Sequence, residues 1–248
     1  MIDGPAIDGP TIDEVVARGY GAVFPMEPSR RTLVKTENLN MRLLPGIIAM
    51  AVIVVASNIL VQFLILDGLL TWGAFTYPFA FMVTDIINRV YGSRAARQVI
   101  FVGFVTGVVC SLIGTQVLLE YGPAVTLRVA VGSGCAFLVA QLLDVTVFNR
   151  LRGGAWWTAP FVSTLVSSTV DTIIFFSLAF SGFFAVFGTD ANAAVTWAQE
   201  AVPFLNSGPI APLWVSLAVA DWSVKLAIAI FALVPFRLIV GQLLRRAA

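Results

Sequence analysis

Six long apolar segments constrain the fold of this chain more than any other feature of its sequence. A helix needs about 20 mainly apolar residues to cross a lipid bilayer. Only 12% of the 248 residues are charged, too few to cover the surface of a soluble domain of this length. The sequence therefore predicts an all-α, polytopic membrane protein with six transmembrane helices. The predicted spans are residues 45–66, 70–91, 97–119, 126–149, 160–187 and 212–238.

Basic residues lie beside alternate ends of these segments. If the N-terminus is inside, the outer connections carry mainly acidic residues, namely Asp67, Glu120, Asp190 and Glu200, with Arg128 as the basic exception. An excess of Lys and Arg marks the cytoplasmic side of a membrane protein. We therefore predict that both termini are cytoplasmic. The inner arginines near the segment ends are Arg42, Arg89, Arg94, Arg97, Arg150, Arg152, Arg237, Arg245 and Arg246.

The composition changes once along the chain. Residues 1–40 are predicted to form a polar cytoplasmic N-terminal tail, and residues 41–248 a single six-helix transmembrane domain. Within that domain, Asp85–Arg89 and Asp144–Arg150 resemble each other weakly, which suggests two three-helix halves. The outer connection 188–211 is rich in Ala and is expected to lie along the membrane interface as a short helix or lid.

The chain lacks the residues that metal binding, catalysis and nucleic-acid binding usually require. The chain has no His, and Cys110 and Cys135 lie in apolar runs without metal-ligand spacing, so we expect no metal, no cofactor and no catalytic residue. The basic residues form no patch, so nucleic acid is not an expected partner. Two membrane aspartates could form a protease dyad, but Asp144 and Asp171 lack the Gly-x-Gly-Asp setting of such enzymes.

Five ionisable side chains lie inside the predicted spans and point most directly to function. Each costs about 2.5–3.5 kcal/mol at the centre of a membrane helix. Such groups face the interior of the helix bundle or a wet cavity, and they usually pair. A purely structural membrane protein would not need so many of them. They are Asp85, Asp144, Asp171, Asp221 and Lys225.

Asp171 lies near the middle of the fifth span, with Ser167 and Ser168 on the same helical face. We favour a functional role for this carboxylate over a hydrogen bond that only aids packing. Asp221 and Lys225 are four residues apart in the last span and can form an intrahelical ion pair. Alternatively, Lys225 pairs with an aspartate from another helix and becomes a charge that substrate or proton displaces.

Other polar residues lie nearer the cytoplasmic ends of their spans. Asp144 has Gln141 on the same helical face, three residues earlier, and both are candidates for binding. Asp85 and Asn88 are also three residues apart, and together with Asp221 they are candidates for a gate or a coupling site. For Asp85 and Asn88 a helix cap is the simpler alternative.

Amides and aromatic residues complete the set of candidates. Asn58 and Gln116 place amides in the first and third spans, where they suit a polar ligand or hydrogen bonds between helices. Pro78 interrupts the second span, and broken helices often occur at transporter binding sites. The aromatic residues nearby suit either the membrane interface or stacking on a flat ring. The candidates for stacking are Phe75, Tyr77, Phe79 and, in the last span, Trp222.

The run from Thr76 to Gly92, TYPFAFMVTDIINRVYG, resembles the signature of the queuosine precursor transporter family, which is also grouped as vitamin-uptake-like transporters. In that family an aromatic-Pro start leads to Thr-Asp-x-x-Asn-Glu-x-Tyr-Gly and a basic stretch, here residues 93–97. This chain departs from the signature at Arg89, where the family usually has Glu. Segments similar to further family motifs lie at residues 141–152, 163–175 and 225–235.

The resemblance implies import of 7-deazaguanine bases, such as 7-cyano-7-deazaguanine, across the bacterial cytoplasmic (inner) membrane. A carboxylate would accept the two adjacent N–H donors of the guanine-like edge, with Asp171 as the first candidate and Asp144 as the second. The amides of Gln141, Gln116 or Asn58 would meet the carbonyl or the ring nitrogens of the base. An aromatic side chain would stack on the ring.

The energy source is a separate expectation. Because the sequence contains no nucleotide-binding motif, we expect secondary transport, with a proton carried on Asp171 or Asp144. The alternative is a substrate-binding membrane subunit that works with the ATPase of an ATP-driven vitamin importer. The expected partners are the small deazapurine and the lipid bilayer, and a homodimer is left open.

Overall fold

The computed structural model describes residues 29–247 except 121 and 184–192. The chain divides into two units, Met1–Arg42 and Leu43–Ala248. The described part of the first unit, residues 29–42, is helical. Residues 1–28 lie outside the described part of the chain, so the polar cytoplasmic tail stays a prediction.

The described residues form α-helices joined by short connections. Among them, five helices are long and apolar enough to cross a membrane, over Met41–Leu60, Ser93–Gln116, Leu127–Leu151, Thr158–Phe180 and Leu213–Arg245. The predicted all-α, polytopic architecture is confirmed, whereas the count of six spans and the division into two halves stay predictions. The helices are α1 (Ser29–Leu60), α2 (Trp72–Thr76), α3 (Phe79–Tyr91), α4 (Ser93–Gln116), α5 (Leu127–Leu151), α6 (Thr158–Phe180) and α7 (Leu213–Ala247).

The second predicted span is divided into α2 and α3 beside Pro78. Proline has no backbone N–H and therefore cannot continue the helical hydrogen bonds. The backbone angles of Tyr77 and Pro78 nevertheless stay right-handed helical, and the N–H of Ala80 donates to the carbonyl of Tyr77 at 2.9 Å. The interruption is therefore a tight turn between two helices rather than a re-entrant loop.

Three short antiparallel hairpins lie in the connections that follow α1, α4 and α6. The prediction was wrong about the ends of the first and third spans, because α1 ends at Leu60 and α4 at Gln116. The next residues are apolar, but Leu66 and Asp67 adopt φ angles of 52° and 53°, which a right-handed helix cannot contain. The strand pairs are β1 (Leu64–Ile65) with β2 (Leu70–Thr71), β3 (Leu118–Leu119) with β4 (Gly122–Pro123), and β5 (Ala201–Pro203) with β6 (Ile210–Pro212).

The connection between α6 and α7 is described from residue 193 onward. The predicted fifth span is too long, because α6 ends at Phe180. A 3-10 helix over Thr196–Gln199 forms where a short helix or lid was expected. Val195 and Ala198 are buried against the end of α6, so this part of the connection packs on the helix bundle. Its location at the membrane interface stays a prediction.

Hydrogen bonds at one end of the bundle join the hairpin connections. The side-chain amide of Gln62 donates to the carbonyl of Ala124 at 3.2 Å. The guanidinium of Arg128 donates to the carbonyls of Leu178 at 3.0 Å and Ser181 at 2.7 Å. Arg128 was expected in an outer loop, but it is buried near the start of α5, where its positive charge satisfies carbonyls at the C-terminal end of α6.

Arginines join the helix ends at the opposite end of the bundle. Arg89, near the end of α3, donates to the carbonyl of Arg152 at 2.8 Å. The guanidinium of Arg237 in α7 lies 4.7 Å from the centre of the Trp156 ring. The basic residues next to α3 and α5 and in the second half of α7 therefore belong to one end.

The helices present apolar side chains on their outer faces as well as in their core. Phe148 and Phe236 pack in one buried group with Ile86 and Ala159, which joins α3, α5, α6 and α7. A fully apolar exterior is expected where lipid replaces water. Among the large exposed apolar residues are Ile48, Val52, Phe101, Leu112, Ile173, Phe231 and Val234.

Gly73 sets the distance between α2 and α1. A Cβ added at this position would come within 3.0 Å of the Ser57 carbonyl oxygen and the Val61 Cα. Because backbone atoms cannot move as easily as a side chain, we predict that Gly73→Ala lowers the free energy of unfolding by about 1–3 kcal/mol. Thermal unfolding in detergent, followed by circular dichroism, measures the change.

Gly134→Ala is the matched control. A Cβ at position 134 would meet only the ring of Phe104, at 3.7 Å, which is an ordinary contact, and alanine favours the helix more than glycine. This variant should therefore be as stable as the parent protein or more stable. Equal stabilities of the two variants would contradict the close approach of α2 to α1.

Candidate functional site

The interior of the bundle contains two clusters of polar side chains. The first, here called the lysine cluster, consists of Tyr77, Asp171, Thr172, Asp221 and Lys225. The second, here called the carboxyl cluster, surrounds two aspartates. It consists of Thr84, Asp85, Gln141, Asp144, Ser163, Thr164 and Ser167. Several of the sequence-predicted residues lie in neither cluster.

Lys225 is the centre of the lysine cluster. Its ammonium group lies 2.7 Å from a carboxylate oxygen of Asp171 in α6 and 2.5 Å from one of Asp221 in α7. The ammonium also donates to the Thr172 hydroxyl at 3.1 Å. The two alternatives drawn from the sequence, an intrahelical pair and a pair between helices, therefore occur together. One buried cation thus compensates two carboxylates.

Tyr77 brings the α2–α3 turn into the lysine cluster. Its hydroxyl donates to the second oxygen of Asp171 at 3.1 Å, and the centre of its ring lies 5.6 Å from the Lys225 ammonium. The rings of Phe81 and Phe137 meet the Tyr77 ring edge-on, with centroids 6.0 and 6.2 Å away. Because Pro78 follows directly, the turn in the helix and the ion pair are linked through one side chain.

The carboxyl cluster holds Asp85 of α3 and Asp144 of α5, which are 2% and 0% exposed. One oxygen of Asp85 accepts from the Thr164 hydroxyl at 3.5 Å, and one oxygen of Asp144 accepts from the Ser167 hydroxyl at 3.0 Å. Because Thr164 and Ser167 are three residues apart on α6, the two carboxyl groups that they contact are neighbours. α6 therefore supplies hydroxyl donors to carboxylates on two other helices.

Two amides lie beside these carboxylates. Gln141 accepts from the Thr84 hydroxyl at 2.7 Å, and Asn88 accepts from the Arg152 guanidinium at 3.3 Å. Both amides are fully buried, and the Gln141 Nε2 and Asn88 Nδ2 donors have no hydrogen-bond partner among the described residues. Unpaired buried donors are rare in folded proteins, so they mark this cluster as a place where a further interaction is expected.

A pocket opens beside the carboxyl cluster, between α3, α6 and α7. It is small, with a volume of about 20 Å³, which is room for about one water molecule. Asp85 and Thr164 are its polar lining residues, and Pro78 and Phe81 from the α2–α3 turn also line it. The pocket therefore joins the helix turn to a buried carboxylate.

The remaining predicted residues lie outside both clusters. The Asn58 side chain donates to the Val54 carbonyl of its own helix at 2.9 Å, and Gln116 is exposed at the end of α4. Phe75 is half-buried beside Trp72, with the ring centroids 6.0 Å apart. Phe79 is exposed. Trp222 donates its indole N–H to the Thr169 hydroxyl at 2.9 Å.

Three contributors were missed from the sequence. Thr84, Thr164 and Thr172 contact the buried carboxylates or Gln141, but none of them was among the predicted site residues. Two of them could have been found from their position in the sequence, because Thr84 directly precedes Asp85 and Thr172 directly follows Asp171. Among the described residues there is no group of three or more His, Cys, Asp or Glu side chains that could hold a metal ion.

Comparison with known proteins identifies the family. Residues 71–240 match the sequence model of a family described as "Putative vitamin uptake transporter". The "Queuosine precursor transporter" of Escherichia coli (strain K12) is 32% identical over 211 residues, which cover 79% of this chain and 85% of the relative. The chain belongs to this transporter family. The resemblance found in the sequence is thereby confirmed.

A second relative agrees. The "Probable queuosine precursor transporter" of Haemophilus influenzae is 34% identical over 189 residues, which are 71% of each chain. No solved structure matches this member of the vitamin uptake transporter family. Together, the family and the long apolar helices define a multi-pass membrane transporter.

Arg89 is the position at which this transporter departs from the family signature. Its guanidinium donates to the Arg152 carbonyl, an interaction that a glutamate cannot make because a carboxylate has no donor. Arg152 in turn donates to both the backbone carbonyl and the side chain of Asn88. In this transporter, Arg89 therefore helps to join the ends of α3 and α5.

The lysine cluster makes a prediction about stability. Lys225→Met leaves Asp171 and Asp221 without their shared cation, and loss of one partner from a buried ion pair typically costs about 3–5 kcal/mol. Asp171→Asn should cost less, because Lys225 keeps Asp221. Thermal unfolding in detergent ranks the two variants.

The double variant Lys225→Met/Asp171→Asn is the control for unpaired charge. It removes one positive and one negative group, so it should be more stable than Lys225→Met alone. If Lys225→Met were as stable as the parent protein, the ion pairs would not contribute to folding.

Proposed function

We propose that this transporter imports queuosine precursors, 7-cyano-7-deazaguanine or a related 7-deazaguanine base, across the bacterial cytoplasmic (inner) membrane. The observation that carries the proposal is the match to relatives named for that cargo, because the matched residues 71–240 contain both polar clusters. The same relatives give no support to the alternative of a substrate-binding subunit in an ATP-driven importer.

The orientation and energy source are parts of the same proposal. Both termini lie on the cytoplasmic side, because Arg89, Arg152 and Arg237 belong to one end of the bundle and basic residues favour the cytoplasm. Uptake is secondary transport, driven by a gradient. The buried carboxylates support this, since ionisable groups within a membrane commonly serve ion pathways.

We assign recognition of the base to Asp171. A guanine-type edge offers two adjacent N–H donors, and a carboxylate accepts both in a charge-assisted pair. In the structure, the Asp171 carboxylate already accepts two hydrogen bonds, one from the Tyr77 hydroxyl and one from the Lys225 ammonium. The base replaces these donors when it binds, so the resting contacts of Asp171 resemble those with the substrate.

The second carboxylate makes this exchange energetically feasible. If Asp171 were the only partner of Lys225, releasing it would leave a buried, unpaired ammonium, which is costly. Lys225 also lies 2.5 Å from Asp221 and remains neutralised by it when Asp171 turns to the substrate. Tyr77, freed at the same time, offers its aromatic face to the base.

The proposal is tested by direct binding of 7-cyano-7-deazaguanine to the purified transporter. Loss of a charge-assisted hydrogen bond costs roughly 1.5–3 kcal/mol, so we expect Asp171→Asn to weaken binding roughly 10- to 100-fold. Tyr77→Phe removes a competing donor without removing the carboxylate, and its affinity should be equal to or higher than that of the parent protein. Isothermal titration calorimetry in detergent measures all three affinities.

Asp67→Asn is the matched control, because Asp67 is an exposed carboxylate in the β1–β2 turn. It should bind the base as the parent protein does. A folded parent protein that does not bind the base would overturn the assignment of the cargo. Unchanged affinity in Asp171→Asn would overturn only the role of Asp171.

A further inference from the structure

The two aspartates of the carboxyl cluster each have one oxygen without a partner. Thr164 and Ser167 satisfy Asp85 Oδ2 and Asp144 Oδ1. Asp85 Oδ1 and Asp144 Oδ2 are buried and accept no hydrogen bond from the described residues. Because Thr164 and Ser167 are three residues apart on α6, the two carboxyl groups are neighbours, and the unpartnered oxygens are the ones left to face each other.

The charged groups of the surrounding helices do not neutralise this pair. The Lys225 ammonium of α7 is held by Asp171 and Asp221. The Arg152 guanidinium beyond α5 contacts Asn88, and α6 contributes only hydroxyl groups. Arg89 of α3 bonds the Arg152 carbonyl, and the α4 residues buried nearest this end are apolar, Ala95, Ala96, Val99 and Ile100. Among the described residues, neither Asp85 nor Asp144 has a cation within ion-pair distance.

Two adjacent carboxylates cannot both remain charged at low cost in such a setting. Burial and a like charge both favour the neutral form of one partner, and a single proton shared between the two oxygens removes the repulsion. The shared proton also supplies the hydrogen bond that neither carboxylate can donate. The pair then carries one negative charge, which the hydroxyls of Thr164 and Ser167 can solvate.

We propose that Asp85 and Asp144 form a proton-binding site, in which one proton bridges Asp85 Oδ1 and Asp144 Oδ2 and is exchanged once in each transport cycle. The binding of the proton stands on the geometry alone, whereas its coupling to uptake rests on the proposed function. The site would make the carrier a proton-coupled transporter.

Groups around Asp85 and Asp144 can also stabilise the pair after it loses the shared proton. When the proton leaves, it passes to water in the pocket lined by Asp85, and the charge of the pair changes from −1 to −2. The amide donors of Gln141 and Asn88 have no hydrogen-bond partner in the described part of the chain, and they lie one helical turn from Asp144 on α5 and from Asp85 on α3. They can turn to the carboxylates and stabilise the added charge.

Infrared difference spectroscopy of the purified, membrane-reconstituted transporter tests the site without any substrate. At neutral pH we expect a carboxylic acid C=O band that disappears at high pH and is lost in both Asp85→Asn and Asp144→Asn. Asp67→Asn should keep the band. Ser167→Ala and Thr164→Val keep both carboxyl groups but remove one hydroxyl each, so they should shift the band without abolishing it.

Proteoliposome uptake tests the coupling. Acid outside should stimulate uptake of 7-cyano-7-deazaguanine by the parent protein and by Asp67→Asn. In Asp85→Asn and Asp144→Asn, exchange of the base across the membrane should continue, but stimulation by the pH gradient should be lost.

Two results would overturn the proton site. One is a neutral-pH spectrum without a protonated-carboxyl band, or with a band that survives both Asn variants. The other is displacement of the band by sodium at constant pH, which would assign the pair to a metal cation. Absence of any uptake by the parent protein would instead contradict the proposed function, because the infrared result does not depend on the substrate.

Discussion

The contact of Lys225 with Asp171 and Asp221 is the interaction on which the rest of the structure depends. It joins α6 to α7 through a largely buried cation, and through the Tyr77 hydroxyl it also holds the turn between α2 and α3. A single ion pair would make each of its members difficult to release. Because the cation has two partners, one carboxylate can change partner while the other keeps the ammonium neutralised.

The five costly ionisable groups are accommodated in two different ways. In the lysine cluster, one ammonium group lies between two carboxylates and forms an ion pair with each. In the carboxyl cluster, two like charges meet with hydroxyl and amide groups but with no cation among the described residues, so a proton is the simplest means of compensation. α6 contributes to both, with Asp171 and Thr172 to one cluster and Ser163, Thr164 and Ser167 to the other. This shared helix directly connects the two clusters.

The all-α, polytopic membrane architecture could be predicted from the sequence, because hydropathy is a property of local composition. Helix ends could not be predicted as well. The apolar residues after Leu60 and Gln116 resemble a continuing helix, but they form hairpins. Arg128 was expected in an outer connection, whereas it is buried near the start of α5 and carbonyls at the end of α6 satisfy it. The side-chain amides of Asn58, Gln116 and Gln141 were all predicted to bind the substrate, but only that of Gln141 lies in a polar cluster.

The sequence by itself determined that the chain is a helical membrane protein, which family it resembles and which few residues are too costly to be incidental. These conclusions follow from composition, spacing and motif, all of which are linear. The tertiary structure decided how the charges are partnered. Lys225 had two possible partners in the sequence and contacts both, while Asp85 and Asp144, 59 residues apart in the chain, meet each other. Pairing depends on how helices pack across the bundle, and that information is absent from any single segment.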